Sequence, residues 1–244
     1  MAGRITAGTE RALRRHTSGE AITAAARAEG VDPSTVFRAL KRMRESGAEV
    51  PRQRIVIVGA GGLGRELAQS VRRDGREQIT FLDDSAHGAH IGGTVESYER
   101  QLGDEVLLAV ADPKVRKAIA DRIQAATFVC SSAMCGDDCQ IGVGTLLLRH
   151  AFVSVGAVLG ECVVVNVSGK VGHDVRLGSF CTLSSDVDLM GGVQVGAGVF
   201  FGSGARVLPG VTIGDDACIG AGAVVVKDVP ARATMFGNPA RQVA

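Results

Sequence analysis

Two hydrophobic periodicities divide most of the chain. Between residues 54 and 126 short apolar runs alternate with stretches of helical spacing. Arg54 to Gly59 reads as a buried strand and Arg65 to Asp74 as a helix, followed by a second strand at Ile79 to Leu82 that ends in Asp83-Asp84. Val106 to Ala111 reads as a third strand ending at Asp112-Pro113, and Lys114 to Ala126 as a closing helix. This alternation predicts an α/β domain around a small parallel sheet, with its binding edge at the carboxyl ends of the strands. From Phe128 a different rule holds. Cut every six residues, the sequence runs FVCSSA, MCGDDC, QIGVGT, LLLRHA and onward to VVVKDV, and the second place is aliphatic or Phe in sixteen of seventeen hexads. The exception is Cys135, and the sixth place is almost always a small or β-branched residue. A period of six fits neither helix nor hairpin. It predicts a parallel β-helix with triangular coils of eighteen residues, the second side chain pointing inward and the small sixth residue turning the corner.

The first fifty residues follow a third pattern. Ser18-Gly19-Glu20 precedes the alanine-rich run Ala21 to Glu29, then Gly30-Val31-Asp32-Pro33 breaks it, and Ser34 is placed as the N-cap of a second helix over Thr35 to Glu45. This predicts a small all-α extension over 1–50, separate from a nucleotide-binding domain over 53–127 and a β-helix over 128–244. Residues 1–52 hold ten Lys/Arg against six Asp/Glu, while the rest of the chain holds seventeen against twenty. The extension resembles a helix-turn-helix whose second helix would present Ser34, Thr35, Arg38, Lys41 and Arg42 to DNA. Nucleic acid is nonetheless not the favoured partner, because small helical pairs with a basic face are common. A protein-contact role is preferred.

Composition then narrows the class. The 244 residues carry 45% hydrophobic and 22% charged side chains with a net charge of +1, which excludes a disordered chain. Glycine stands out at 33 residues, without the proline or triplet of collagen. No apolar run approaches a membrane span and the start Met-Ala-Gly-Arg lacks a signal-peptide core, so a cytoplasmic location is expected. The six cysteines are read as reduced thiols. Cys130, Cys135 and Cys139 invite a metal reading, but their spacing is not that of zinc pairs, and Cys135 and Cys139 take the inward and corner places of their hexad. No metal is expected.

The loop Gly59-Ala60-Gly61-Gly62-Leu63-Gly64 follows a strand, opens a helix and has acidic residues about twenty positions downstream, which is the context of a phosphate-binding turn. Only about seventy residues separate Gln53 from the first hexad, too few for a dinucleotide's second half. A ligand with one nucleotide is expected, its phosphates at the loop and the helix N-terminus.

The sequence VIVGAGGLGRELA, followed by FLDD, DPKVR, GHDVRLGSF and a terminal GNPARQV, resembles the bacterial nucleotide-sugar acetyltransferases of the bacillosamine and perosamine type, whose relatives include sialic acid O-acetyltransferases. The resemblance covers residues 54–244. It implies a left-handed β-helix, a homotrimer, acetyl-CoA bound between neighbouring subunits, and a nucleotide-linked amino sugar on the N-terminal domain. Carried over by motif, His173 would be the base that deprotonates the sugar amine and Asp174 the acid that tunes it. Thr182, Gly191, Ser203 and Ala221 would contact acetyl-CoA, Gly191 as N–H donor to the thioester oxygen. Ala60, Gly61, Gly62, Asp83 and Asp84 would bind the nucleotide sugar. Three positions depart from the pattern: Thr182 stands where many relatives have a second histidine, Leu63 where some have a histidine, and Pro113 where some have asparagine. His150 faces outward, and His16, His87 and His90 lie in polar or loop contexts, so no chemistry is assigned to them. Two rival readings are a sugar O-acetyltransferase and a DNA-binding sugar sensor without catalysis.

Overall fold

The computed structural model of the 244-residue chain describes residues 6, 8–9, 11–12, 29–30, 54–85, 88, 91–101 and 103–243. The chain divides into two compact units, one of residues 1–55 with 99–105 and one of 56–98 with 106–244. In the first, Glu29 and Gly30 form a turn with Gly30 at φ 61°, at the break between the two expected helices. The DNA-facing set Ser34, Thr35, Arg38, Lys41 and Arg42 lies outside the described residues.

The α/β segment holds β1 (Arg54–Val58), β2 (Ile79–Leu82), β3 (Ile91–Gly93) and β4 (Asp104–Leu108) in the sheet order β3-β2-β1-β4. Helix α1 spans Gly62–Arg73 and α2 spans Pro113–Ala120. Helix α1 buries Leu67, Ala68 and Val71 on one stripe, as its spacing requires. Strand β3 was not expected, because Ile91-Gly92-Gly93 is too short and too glycine-rich to show a period. Strand β4 starts two residues before the expected strand, with Asp104 and Glu105 buried, and polar residues in a buried strand escape a hydrophobic pattern. Helix α2 stops well before Ala126, whose N–H donates to Val106 O at 2.7 Å and so holds an extended chain beside β4.

From Phe128 the chain winds into coils of eighteen residues. Strands pair in parallel with the next coil, as in Val158↔Arg176, Val164↔Thr182 and Lys170↔Asp188. Three sheets of five, eight and six strands form the faces, the eight-stranded one closed by the antiparallel pair Thr234–Phe236 and Arg241–Val243. Second-place side chains such as Val153, Val171, Leu189 and Val207 stack in a core with no exposure. The sixth residue does not turn the corner as expected: Ala151, Val175, Val187 and Ala205 point inward and are fully buried too. The corner is turned by the fifth residue. From Gly144 to Gly222 each fifth place has positive φ, seven times at glycine and seven times at His150, Cys162, Ser168, Asp174, Phe180, Asp186 and Asp216. A β-branched side chain is strained there, and none of the seventeen fifth places carries one.

One outer face is covered. Its first-place residues Phe128, Leu146, Val164 and Thr182 are all buried. The α/β segment lies over them, so that Cys162 of the coils shares one apolar cluster with Val56, Leu108, Ile123 and Ala125. Cys135, expected inward, is exposed, because its strand Met134–Cys135 belongs to the first coil and pairs on one side only, with Phe152–Val153. No helix among the described residues is long and apolar enough to cross a membrane.

Candidate functional site

His173 occupies the fourth place of Lys170-Val171-Gly172-His173-Asp174-Val175. Val171 and Val175 point into the core, which throws the intervening turn outward and leaves His173 and Asp174 with side-chain exposures of 64% and 70%. Asp174 is the corner residue at φ 59°, and this backbone folds its carboxylate back to His173, Oδ2 lying 2.9 Å from Nδ1. A carboxylate at Nδ1 favours the tautomer that carries its proton there and leaves Nε2 free to accept one. One coil further on, Gly191 lies beneath the ring. A methyl group at its Cα would stand 2.3 Å from His173 Nε2 and 2.4 Å from Cε1, so only glycine permits this ring position. The Gly192 N–H donates to the His173 carbonyl at 2.8 Å and locks the two turns together.

The fourth-place N–H stands outside the coil-to-coil ladder. At Glu161 and Ala197 it is taken by side chains, Ser179 Oγ at 3.1 Å and Asp215 Oδ1 at 2.7 Å. At Gly191 no described side chain takes it, and this turn lies against His173 Nε2. A proton acceptor and a free amide donor therefore occur on one edge of the prism.

The remaining predicted acetyl-CoA contacts sit elsewhere. Ser203 and Ala221 stack on each other one coil apart, the Gly222 N–H donating to Ser203 O at 2.9 Å. From His173 to Ser203 is five hexads, so a three-faced coil carries Ser203 to a different edge. One chain does not bring the pairs His173/Gly191 and Ser203/Ala221 together. Thr182 belongs to neither edge: it is 2% exposed and its hydroxyl donates to Ala111 O at 2.7 Å. Covered by the α/β segment, its side chain has no surface to offer coenzyme A.

In the glycine loop the three fingerprint glycines separate by role. Gly59 has φ 99°, and a Cβ there would meet Ala109 O at 2.6 Å, while one on Gly64 would meet Gly59 O at 1.8 Å. Both serve the close packing of strand and helix. Around Gly61 and Gly62 no described atom lies within 4 Å of such a Cβ, so the loop's outer side is open at the start of α1. That helix has no side-chain cap, which leaves its first amides for an anion. The aspartates are tied internally. Asp83 accepts from the Ala60 N–H at 2.7 Å and the Ser85 N–H at 2.9 Å, and Asp84 from the Val95 N–H at 2.8 Å. Asp83 thus shapes the loop, with Ala60 as its partner. Asp112 caps α2 through the N–H groups of Lys114 and Val115, and Pro113 occupies the first helical turn, where it needs no donor.

Sequence reasoning missed Arg116. It reads as one more cation on a surface helix, yet it is fully buried and donates only to main-chain carbonyls. Burial pulls its guanidinium down to about 10, partly offset by Cys162, Cys181 and Asp112, so it stays charged near neutral pH. Among the described residues no group of His, Cys, Asp or Glu is arranged to hold a metal ion, and all six cysteines are free. His150 is an exposed corner residue, and His16, His87 and His90 lie outside the described residues.

Residues 54–123 match the PglD N-terminal domain, and residues 192–227 match the bacterial transferase hexapeptide family. A GDP-perosamine N-acetyltransferase of Escherichia coli O157:H7 is 31% identical over 210 residues, covering 77% of this chain and 95% of that protein. The chain belongs to this sugar acetyltransferase family. In fold it resembles the acetyltransferase domain of PglB from Neisseria gonorrhoeae, with TM-score 0.75, 29% identity and coverage of 79% of this chain and all of that one. It also resembles PerB from Caulobacter crescentus, solved with CoA and GDP-perosamine, at TM-score 0.73 and 29% identity over 81% of this chain and all of that one. By this kinship the β-helix is left-handed. A serine acetyltransferase of Arabidopsis thaliana is 41% identical over 102 residues, but the match spans only 24% of that protein.

Proposed function

We propose that this family member transfers the acetyl group of acetyl-CoA to the amino group of a nucleotide-linked amino-deoxy sugar. The observation that carries the reading is the His173 edge, where an imidazole held by Asp174 lies flat on Gly191 beside an amide left free by the ladder. In this reading the sugar amine attacks the thioester carbonyl, a C–N bond forms, and the amine proton passes to His173 Nε2. The carbonyl oxygen gains negative charge and takes the Gly191 N–H. Collapse of the intermediate breaks the C–S bond, and the proton goes from the imidazolium to the departing thiolate, which restores neutral His173. Asp174 holds the ring through Nδ1. The open glycine loop, with Ala60, Gly61 and Gly62 shaped by Asp83, receives the nucleotide phosphates.

The separation of the two edges supports a homotrimer in which His173 and Gly191 of one copy face Ser203 and Ala221 of the next across a shared pantetheine crevice. Free thiols on all six cysteines are in keeping with a cytoplasmic enzyme. The test is thiol release from acetyl-CoA with a panel of UDP-, dTDP- and GDP-linked amino sugars and their hydroxyl counterparts. Turnover with an amine and not with its hydroxyl counterpart is the expected result. Turnover confined to hydroxyls would make the protein an O-acetyltransferase, and binding without turnover would remove the enzymatic reading.

A further inference from the structure

We propose that Arg116 is a positioning residue for this reaction, holding the strand-end segment beside the glycine loop at a set distance and angle from the coils that carry His173. The inference rests on the acetyltransferase reading above. Arg116 lies on α2, is completely buried, and spends all five of its N–H donors on carbonyls of two different structures. Nη1 donates to Val110 O at 2.5 Å and to Ala111 O at 3.2 Å, in the segment that follows β4. Nε donates to Cys162 O at 2.8 Å, while Nη2 donates to Phe180 O at 2.6 Å and Cys181 O at 3.0 Å. The first pair of acceptors adjoins the glycine loop, since Ala109 O limits the space at Gly59 and the Ala109 N–H donates to Val58 O. The second set are carbonyls at or next to the corners Cys162 and Phe180 of two successive coils, and the chain between them contains His173. Thr182 adds a parallel tie, its hydroxyl on the same Ala111 carbonyl.

A planar fork with every donor engaged defines orientation as well as distance, which a flexible ammonium with three donors does not. The nucleotide would be held by the loop and the amine must reach His173 Nε2, so an error in this span misplaces the reacting atom. Misplacement of about 1 Å costs on the order of 10²-fold in rate.

The experiment is steady-state kinetics of the full-length wild type, Arg116→Lys, Arg116→Met and Thr182→Val with the acceptor found in the panel, each rate divided by the folded fraction from thermal unfolding. Arg116→Lys and Arg116→Met are expected to lose about 10- to 100-fold in kcat. KM for acetyl-CoA and inhibition by the free nucleotide should stay within about twofold of wild type, as both half-sites persist. Thr182→Val, the milder change should the others fail to fold, is expected to lower kcat several-fold with the same unchanged KM. Rates per folded molecule equal to wild type in Thr182→Val and in either Arg116 variant would overturn the proposal, as would a matching rise in KM for acetyl-CoA. An inactive wild type would instead overturn the acetyltransferase reading on which it rests.

Discussion

The His173 side chain is 64% exposed, yet its ring has little freedom. Asp174 holds Nδ1 from within the same turn, and Gly191 supplies the flat floor on which the imidazole lies. His173→Ala should lower kcat by about 10²–10⁴, the usual contribution of a positioned base, with oligomeric state and nucleotide affinity retained. Activity near wild type in a coupled thiol assay would show that another group takes the proton. Gly191→Ala inserts a methyl where Nε2 now sits, so the ring must swing away. A fall of about 10- to 100-fold in kcat is expected with thermal stability nearly unchanged, measured by the same assay and by calorimetry. The His173-Asp174 pair was legible in the motif, and its geometry follows from the corner conformation of Asp174. The depth of Arg116 was not legible, because nothing local distinguishes an arginine that solvates a helix from one that the fold closes over.

At the scale of single elements, the two glycine uses in the α/β segment make opposite predictions. Gly64→Ala would press a methyl into the Gly59 carbonyl, so β1 and α1 must part and soluble, folded protein should be lost. Gly61→Ala meets no described atom, so unfolding temperature should hold while nucleotide affinity, read by titration calorimetry, falls. The corners of the β-helix behave in the same local way. Asp186 sits at φ 58°, and Asp186→Val should cost about 1–2 kcal/mol in urea unfolding, whereas Asp186→Gly should be close to neutral. The hexad pattern announced coils and an inward second place, since burial of one side chain per face imposes a strict period. It misassigned the sixth place, because a small residue suits a tight interior as well as it suits a bend. The absence of β-branched residues from every fifth place was the overlooked sign of where the bend lies.

The whole molecule decides which edges meet. Within one chain His173/Gly191 and Ser203/Ala221 occupy different corners, so the proposed site needs two copies. Co-expression of His173→Ala with Ala221→Trp offers a direct check. Each variant alone should be inactive, and mixed trimers should recover part of the activity, because one interface then joins an intact His173 edge to an intact Ala221 edge. No recovery in mixtures that sediment as trimers would place the site within a single chain.

What the chain's pattern determined by itself was periodic or local: a strand-loop-helix with glycines at the turn, coils of eighteen residues, a histidine and an aspartate side by side in one turn. Such features arise because backbone sterics and one-sided burial act between near neighbours and repeat. Tertiary structure alone decided that Thr182 would be sealed against Ala111, that Asp83 would bond to Ala60, and that Arg116 would tie Val110 and Ala111 to Cys162, Phe180 and Cys181. The physical reason is that a polar side chain's fate depends on which carbonyls and amides the completed fold leaves within its reach, and those come from residues up to 71 positions away.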